Sequence, residues 1–167
     1  AASDVYKRQM AYSYLETFNP AGMVVTAEYS DGSSEAVSGY TYPETAFSTL
    51  GQQAVEIAYA YEGVTKTASL NVTVNPIEVA VPVQNGLPVY DGTAKTPSWT
   101  GYDSVKMSMS GETNGVNAGT YKVKFVLNYG YVFPGDASEA EVEWTIDRAT
   151  IASLPSQSNV LAANGTP

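Results

Sequence analysis

The sequence predicts an all-β chain built from tandem β-sandwich modules without disulfides. Apolar and polar residues alternate with a period of two in several stretches, and glycine-containing turns separate these stretches at short intervals. Part of the sequence also recurs at a constant offset of 73 residues. No stretch carries an apolar stripe with the 3.6-residue period of a helix. Cysteine is absent, so the modules must depend on their cores alone.

The alternating stretches are the predicted strands. In the clearest of them, Trp144 and Ile146 fall on an apolar face, and glutamates alternate with them on the other face. Trp144 and Trp99 are predicted core rings, and Tyr121 is predicted to anchor the start of its strand. The four stretches are 54–61, 68–74, 121–127 and 139–146.

Glycine turns connect these strands. Asp31-Gly32 and Glu62-Gly63 each stand between two predicted strands, and Asp91-Gly92 and Asn114-Gly115 repeat the pattern in the second half. Glycine supplies the positive φ that a tight hairpin requires, so each pair predicts a strand, a turn and a second strand.

The turns and a proline divide the chain into four parts. Residues 1–9 match nothing downstream and look like a non-native tail derived from a sequencing adaptor, of the kind found in metagenomic fragments, so we leave them out of the fold. Asn75-Pro76 follows an apolar strand and marks a module boundary. The modules are then residues 10–75 and 76–147, and residues 148–167 are a linker and the start of a third, truncated repeat.

The third repeat is predicted from a short self-similarity. Pro82-Val83-Gln84, followed by Gly92-Thr93, recurs as Pro155-Ser156-Gln157, followed by Gly165-Thr166. The offset of 73 residues is close to the length of the second module, as expected of an array.

The first module resembles the bacterial Ig-like domains of group 3. The resemblance rests on the stretch Phe18 to Ser33, on Gly39-Tyr40 and Leu50-Gly51, and on a closing strand from Ala68 to Val74. It implies an immunoglobulin-like sandwich from a repeat array of an exported bacterial surface or secreted protein. The first strand of the family pattern is missing or replaced here.

The second module resembles another Ig-like repeat, which is found in bacterial surface proteins and in phage tail proteins. Its marks are Tyr90-Asp91-Gly92-Thr93-Ala94, Pro97-Ser98-Trp99, Asn117-Ala118-Gly119-Thr120-Tyr121 and Glu143-Trp144-Thr145-Ile146. Neither resemblance implies a catalytic residue.

Composition excludes several classes of function. Histidine and cysteine are both absent, which removes the residue types that most often perform acid–base catalysis and bind transition metals. A net charge of -9 disfavours nucleic acid and anionic lipid as partners. No apolar run is long enough to span a membrane, and a signal peptide and an anchor are expected outside this sequence. We therefore predict no enzyme, no cofactor and no metal.

One cluster of aromatic residues is a candidate binding site. Tyr129, Tyr131 and Phe133 lie near the turn Pro134-Gly135, and such a group can stack against a sugar ring. The alternative interpretation is that these residues bind no ligand and belong to a strand.

Three other chemistries are weaker alternatives. The glutamates of 139–143 point to solvent rather than to a catalytic pocket, and Lys122 and Lys124 can pair with Glu141 and Glu143 across the sheet. Calcium needs a dense oxygen cluster, which the scattered aspartates do not form; they are Asp31, Asp91, Asp103, Asp136 and Asp147. A Lys–Asn isopeptide bond needs burial, whereas the candidate lysines should face outwards; the candidates are Lys66, Lys122 and Lys124 with Asn71 and Asn128.

The expected function is therefore structural. The modules are predicted to be spacers of an extracellular bacterial protein, with neighbouring Ig-like repeats as partners, that present an adhesive or catalytic domain. The alternatives are a phage tail or fibre module that binds carbohydrate weakly and an accessory region of a secreted glycan-active enzyme.

Overall fold

The computed structural model describes residues 2–6 and 10–151, with side chains from residue 10 onward. Within these ranges it contains strands and no helix, which confirms the all-β prediction. The strands of the first module are β1 (Ala2–Tyr6), β2 (Ala11–Ser13), β3 (Val24–Glu28), β4 (Ser34–Val37), β5 (Gly51–Tyr61) and β6 (Val64–Asn75). Those of the second are β7 (Ile77–Glu78), β8 (Val83–Asn85), β9 (Ser98–Thr100), β10 (Met107–Gly111), β11 (Gly119–Leu127), β12 (Tyr131–Val132) and β13 (Glu139–Ile146).

The first module is a sandwich of two three-stranded sheets, in the orders β1-β3-β4 and β2-β6-β5. β5 and β6 form a long antiparallel hairpin, and β2 pairs with the end of β6 in parallel. Alternate side chains of these strands point inward because successive residues of a strand face opposite sides. They form a core of Tyr12, Phe18, Met23, Val25, Val55, Ile57, Leu70 and Val72.

The backbone of residues 2–6 belongs to this sandwich. β1 pairs antiparallel with β3, in a register that runs from Ala2 opposite Ala27 to Tyr6 opposite Val24. Leaving residues 1–9 out of the fold was therefore wrong for this segment, because backbone pairing does not depend on a match in composition. The adaptor origin of the segment stays a prediction.

The second module has one main sheet, in the order β10-β11-β13, and two smaller pairs, β8-β9 and β7-β12. Its core is separate from that of the first module. The buried members are Met107, Val123, Phe125, Phe133, Trp144 and Ile146. The predicted third repeat, with residues 155–166, lies outside the described residues.

The predicted core position of Trp144 is confirmed, whereas Trp99 and Tyr121 are half-buried and pack against that core. Trp144 is fully buried, and its Nε1 donates a hydrogen bond of 2.6 Å to the carbonyl of Glu112. Tyr121 stacks on Trp144 with ring centroids 4.6 Å apart, and its Oη donates to the carbonyl of Asn117. Trp99 packs edge-on against Phe125 at 5.0 Å.

The turns differ between the modules. Asp31-Gly32 connects β3 to β4 and Glu62-Gly63 connects β5 to β6, as predicted. Asp91-Gly92 and Asn114-Gly115 lie instead in longer connections, and a bridge between Lys95 and Gly115 ties these two loops together. A short-range glycine signal could not distinguish these loops from tight hairpins because the bridge joins distant parts of the sequence.

Candidate functional site

The two modules are joined by a linker of one residue. Asn75 ends β6 and Ile77 begins β7, so only Pro76 lies between them. The Asn75 carbonyl accepts a hydrogen bond of 2.9 Å from Tyr14 N, and Ile77 N donates one of 2.9 Å to the carbonyl of Gly130. Because both neighbours of Pro76 are held and the proline ring restricts its own φ, the linker has little freedom.

A tyrosine of the first module packs into the second. The ring of Tyr14 lies 5.6 Å from that of Tyr129 and 5.9 Å from that of Tyr131, and both pairs are edge-on. Between them Gly130 is buried with φ at 91°, and a Cβ placed on it would fall on the Tyr14 ring. Glycine is therefore required here both for its backbone conformation and for the close approach of the ring.

A hydrogen bond adds to this contact. Leu50 N, in the loop before β5, donates to Tyr129 Oη over 2.8 Å. We call the set Tyr14, Leu50, Pro76, Tyr129, Gly130 and Tyr131 the junction. Its first three members lie where the chain leaves the first module, which we call the trailing end of that module. The other three lie where the chain enters the second module, which we call its leading end.

The structure places the predicted sugar-binding residues at the junction. Tyr129 is 59% exposed but bonded to Leu50 N, and Tyr131 is half-buried beside Tyr14. Phe133 is 1% exposed and belongs to the second core, so its ring offers no stacking face. Carbohydrate contact by Tyr129 and Tyr131 stays a prediction, and in the structure both residues contact the first module.

Charge pairs form across β11 and β13, as predicted for Lys122, whereas Lys124 pairs with Glu139 and not with the predicted Glu141 or Glu143. Lys122 lies directly opposite Glu143, yet its Nζ is 2.7 Å from Glu141 Oε1 and 4.0 Å from Glu143 Oε1. Lys124 likewise pairs diagonally with Glu139 at 2.7 Å. The hydrogen bond from Lys122 lowers the pKa of Glu141, which is the opposite of what a general acid requires. These carboxylates are exposed partners of lysines.

Two of the five aspartates considered for calcium, Asp31 and Asp91, organise turns. Asp31 Oδ1 accepts hydrogen bonds from Ser33 N and Oγ, and Asp91 Oδ1 accepts the same pair from Thr93. Bonds from Ser33 lower the pKa of Asp31, and bonds from Lys95 and Thr93 lower that of Asp91. Among the residues that the structure describes, no three acidic side chains lie close enough to hold a metal ion.

The lysines considered for an isopeptide bond are exposed to solvent. Lys66, Lys122 and Lys124 are all exposed, whereas the reaction needs a buried lysine beside a protonated carboxyl. Their geometry does not support a covalent cross-link.

Sequence reasoning missed a second cluster of tyrosines. At the leading end of the first module, opposite the junction, Tyr29 and Tyr61 pack edge-on with centroids 5.5 Å apart. Tyr29 Oη donates a bond of 2.6 Å to Glu35 Oε1, which raises the pKa of Tyr29. A cleft of about 220 Å³ opens beside them, lined by Ala27, Glu28, Tyr29, Tyr59, Tyr61, Glu62, Val64 and Lys66. The available signal was the Tyr59-Ala60-Tyr61 motif, which repeats the pattern of Tyr129-Gly130-Tyr131.

Comparisons with known proteins find a match to one family model, in the first module. Residues 9–74 match the family model of the bacterial Ig-like domain (group 3). No curated protein sequence matches the chain. A solved structure of domains 4 and 5 of the S-layer protein SbsC matches with 14% identity and a TM-score of 0.31, over 89% of this chain and 99% of that one. The described residues include no helix that is long and apolar enough to cross a membrane. The match over residues 9–74 confirms the predicted resemblance of the first module to the bacterial Ig-like domains of group 3.

Proposed function

We propose that the chain is a non-catalytic spacer of an exported bacterial cell-surface protein, in which modules stacked end to end present an adhesive or catalytic domain. The observation that carries this proposal is the junction. A linker of one proline, held by backbone hydrogen bonds on both sides, is suited to fixing the direction of one module relative to the next.

The tyrosine contacts support the same role. Two edge-on ring pairs contribute about 0.5–1.5 kcal/mol each, and the bond from Leu50 N to Tyr129 Oη adds about 1 kcal/mol. Interfaces between domains of one chain otherwise resemble transient contacts, and relative motion is the ordinary expectation. With these contacts and with Pro76 as the linker, the two modules keep a fixed angle to each other.

The dimensions also fit a spacer. β6 has 12 residues, and at about 3.4 Å per residue it spans about 40 Å. The chain leaves the first module at the end of this strand, so the length of the module adds to the distance that an array of modules spans.

The test is the distribution of distances between the modules. The chain has no cysteine, so Thr67→Cys and Ser110→Cys, both on exposed strand positions, supply two unique sites for spin labels. We expect a single narrow distance peak by pulsed electron paramagnetic resonance. Tyr14→Ala should broaden it, because the ring that fixes the joint is gone.

The matched control is Tyr61→Ala. This change removes a tyrosine of the same module at the end away from the junction, and it should leave the peak narrow. A broad peak in the unmodified chain, or equal broadening by both variants, would contradict the spacer proposal.

A further inference from the structure

Tyr90 in the second module occupies the backbone position that Tyr14 occupies in the first. Tyr14 N donates to the carbonyl of Asn75, where the chain leaves the first module, and Tyr90 N donates to the carbonyl of Asp147, where it leaves the second, over 2.9 and 2.8 Å. The residue before each tyrosine is the parallel bridge partner of that last residue: Ser13 pairs with Asn75, and Val89 pairs with Asp147. The two trailing ends are therefore built alike.

The two tyrosines differ in what covers them. Tyr14 packs against Tyr129 and Tyr131 across the junction, whereas Tyr90 is 40% exposed. Leu87 and Val89 of the same loop are 59% and 51% exposed, and Val116, in the loop that a bridge from Lys95 to Gly115 ties to it, is 44% exposed. An exposed apolar group of this kind marks a contact surface.

The occupant follows from what Tyr14 binds. Its ring needs a buried glycine with positive φ between two tyrosines, which is the Tyr129-Gly130-Tyr131 arrangement at the leading end of the second module. At the leading end of the first module, the residue between Tyr59 and Tyr61 is Ala60, in the strand β5, so this end does not offer a glycine between its tyrosines. The sequence repeat that begins at Pro155 matches the second module rather than the first. A following module of the second type therefore provides the complementary surface.

We propose that the trailing end of the second module is a docking surface for a following Ig-like module of the second module's own type, with Tyr90 packing on that module's counterpart of Gly130. This inference rests on the proposed spacer function, since it extends the observed junction to the next joint. It assigns Tyr90 a role between modules and not within the second core.

The experiment uses an extended chain, in which residues 1–147 are followed by a second copy of residues 76–147. Spin labels at Ser110→Cys in both copies of the second module report on the new joint. We expect a single narrow distance peak. Tyr90→Ala in the inner copy should remove the narrow peak, and Tyr90→Phe should retain it because the ring is kept.

The same substitution provides its own control. Tyr90→Ala in the outer copy removes a ring that has no following module to dock on, so the peak should stay narrow. Circular dichroism of each variant checks that the strands are retained. Gly130→Ala in the outer copy removes the same contact from the other side, so it should broaden the distance peak as the inner Tyr90→Ala does.

Two outcomes would overturn the proposal. One is a peak that is insensitive to the inner Tyr90→Ala and to the outer Gly130→Ala. The other is self-association of the original chain, seen by sedimentation and lost in Tyr90→Ala, which would make a second copy the occupant. Spin labels placed across the first junction of the same extended chain distinguish failure of this proposal from failure of the spacer proposal. A narrow distance peak at the first junction with a broad peak at the second would refute only the docking of Tyr90.

Discussion

The motifs Tyr129-Gly130-Tyr131 and Tyr59-Ala60-Tyr61 lie at the leading ends of their modules, and within the described residues only the first contacts another module. Gly130 is buried under the ring of Tyr14, whereas Tyr61 is 48% exposed beside an open cleft. The residue between the tyrosines differs by one methyl group. Where that methyl is missing, a ring can lie against the backbone. Glycine at position 130 thus allows Tyr14 of the first module to pack between the two tyrosines at the leading end of the second.

The largest expected effect comes from destabilising the second module, which covers Tyr14. Trp144→Ala deletes a fully buried ring and its bond to the Glu112 carbonyl, so we expect the second module to lose about 3–5 kcal/mol of stability. The first module has its own core and should stay folded, with Tyr14 newly exposed. Amide spectra that report on each module would show this. An unchanged melting curve would contradict the assignment of Trp144 to the core.

A smaller effect is expected when the glycine itself is changed. Gly130→Ala places a Cβ on the Tyr14 ring and forces alanine to φ of 91°. Strain costs about 1–2 kcal/mol, and undocking of the ring costs about 0.5–1.5 kcal/mol for each lost pair. Denaturant unfolding measures the sum. Gly135→Ala is the control, since Gly135 has φ of 78° with nothing within 4 Å of its added Cβ. If both variants lose the same stability, ring docking contributes nothing.

The smallest effect should come from one hydroxyl. Tyr129→Phe removes the acceptor for Leu50 N and keeps the ring. We expect a loss of about 1 kcal/mol, seen as roughly fivefold faster hydrogen exchange of the Leu50 amide. Tyr131→Phe is the matched control, because its hydroxyl has no hydrogen bond among the described residues. Equal exchange rates in the two variants would show that the bond does not hold the joint.

The strands could be predicted because their signal is local. Val55 and Ile57 are buried and Glu56 between them is exposed, as the period of two requires. Trp144 and Ile146 follow the same rule opposite the glutamates. A pattern that depends only on neighbours two residues apart is readable without knowing the fold.

The junction could not be predicted because it depends on residues far apart in the chain. Tyr14 and Gly130 give no sign in the sequence that they touch, and a tyrosine suits a strand, a sugar platform and a joint equally well. The same ambiguity led Tyr129 and Tyr131 to be interpreted as a binding surface. Phe133, in the same segment, is buried by the fold alone. The order of the parts was predictable, and the contact between them was not.

Parallel pairing at the ends of the modules determines how the chain would bear tension. β2 runs parallel to the end of β6, β7 runs parallel to β12, and Val89 bridges Asp147 in parallel. A pull along the chain slides such segments past each other, so the hydrogen bonds between them are loaded in shear and must break together. An antiparallel hairpin pulled from its two open ends would instead unzip one bond at a time. Parallel pairing therefore resists force at the trailing end of each module and at the start of the second, whereas β1, at the start of the first, pairs antiparallel.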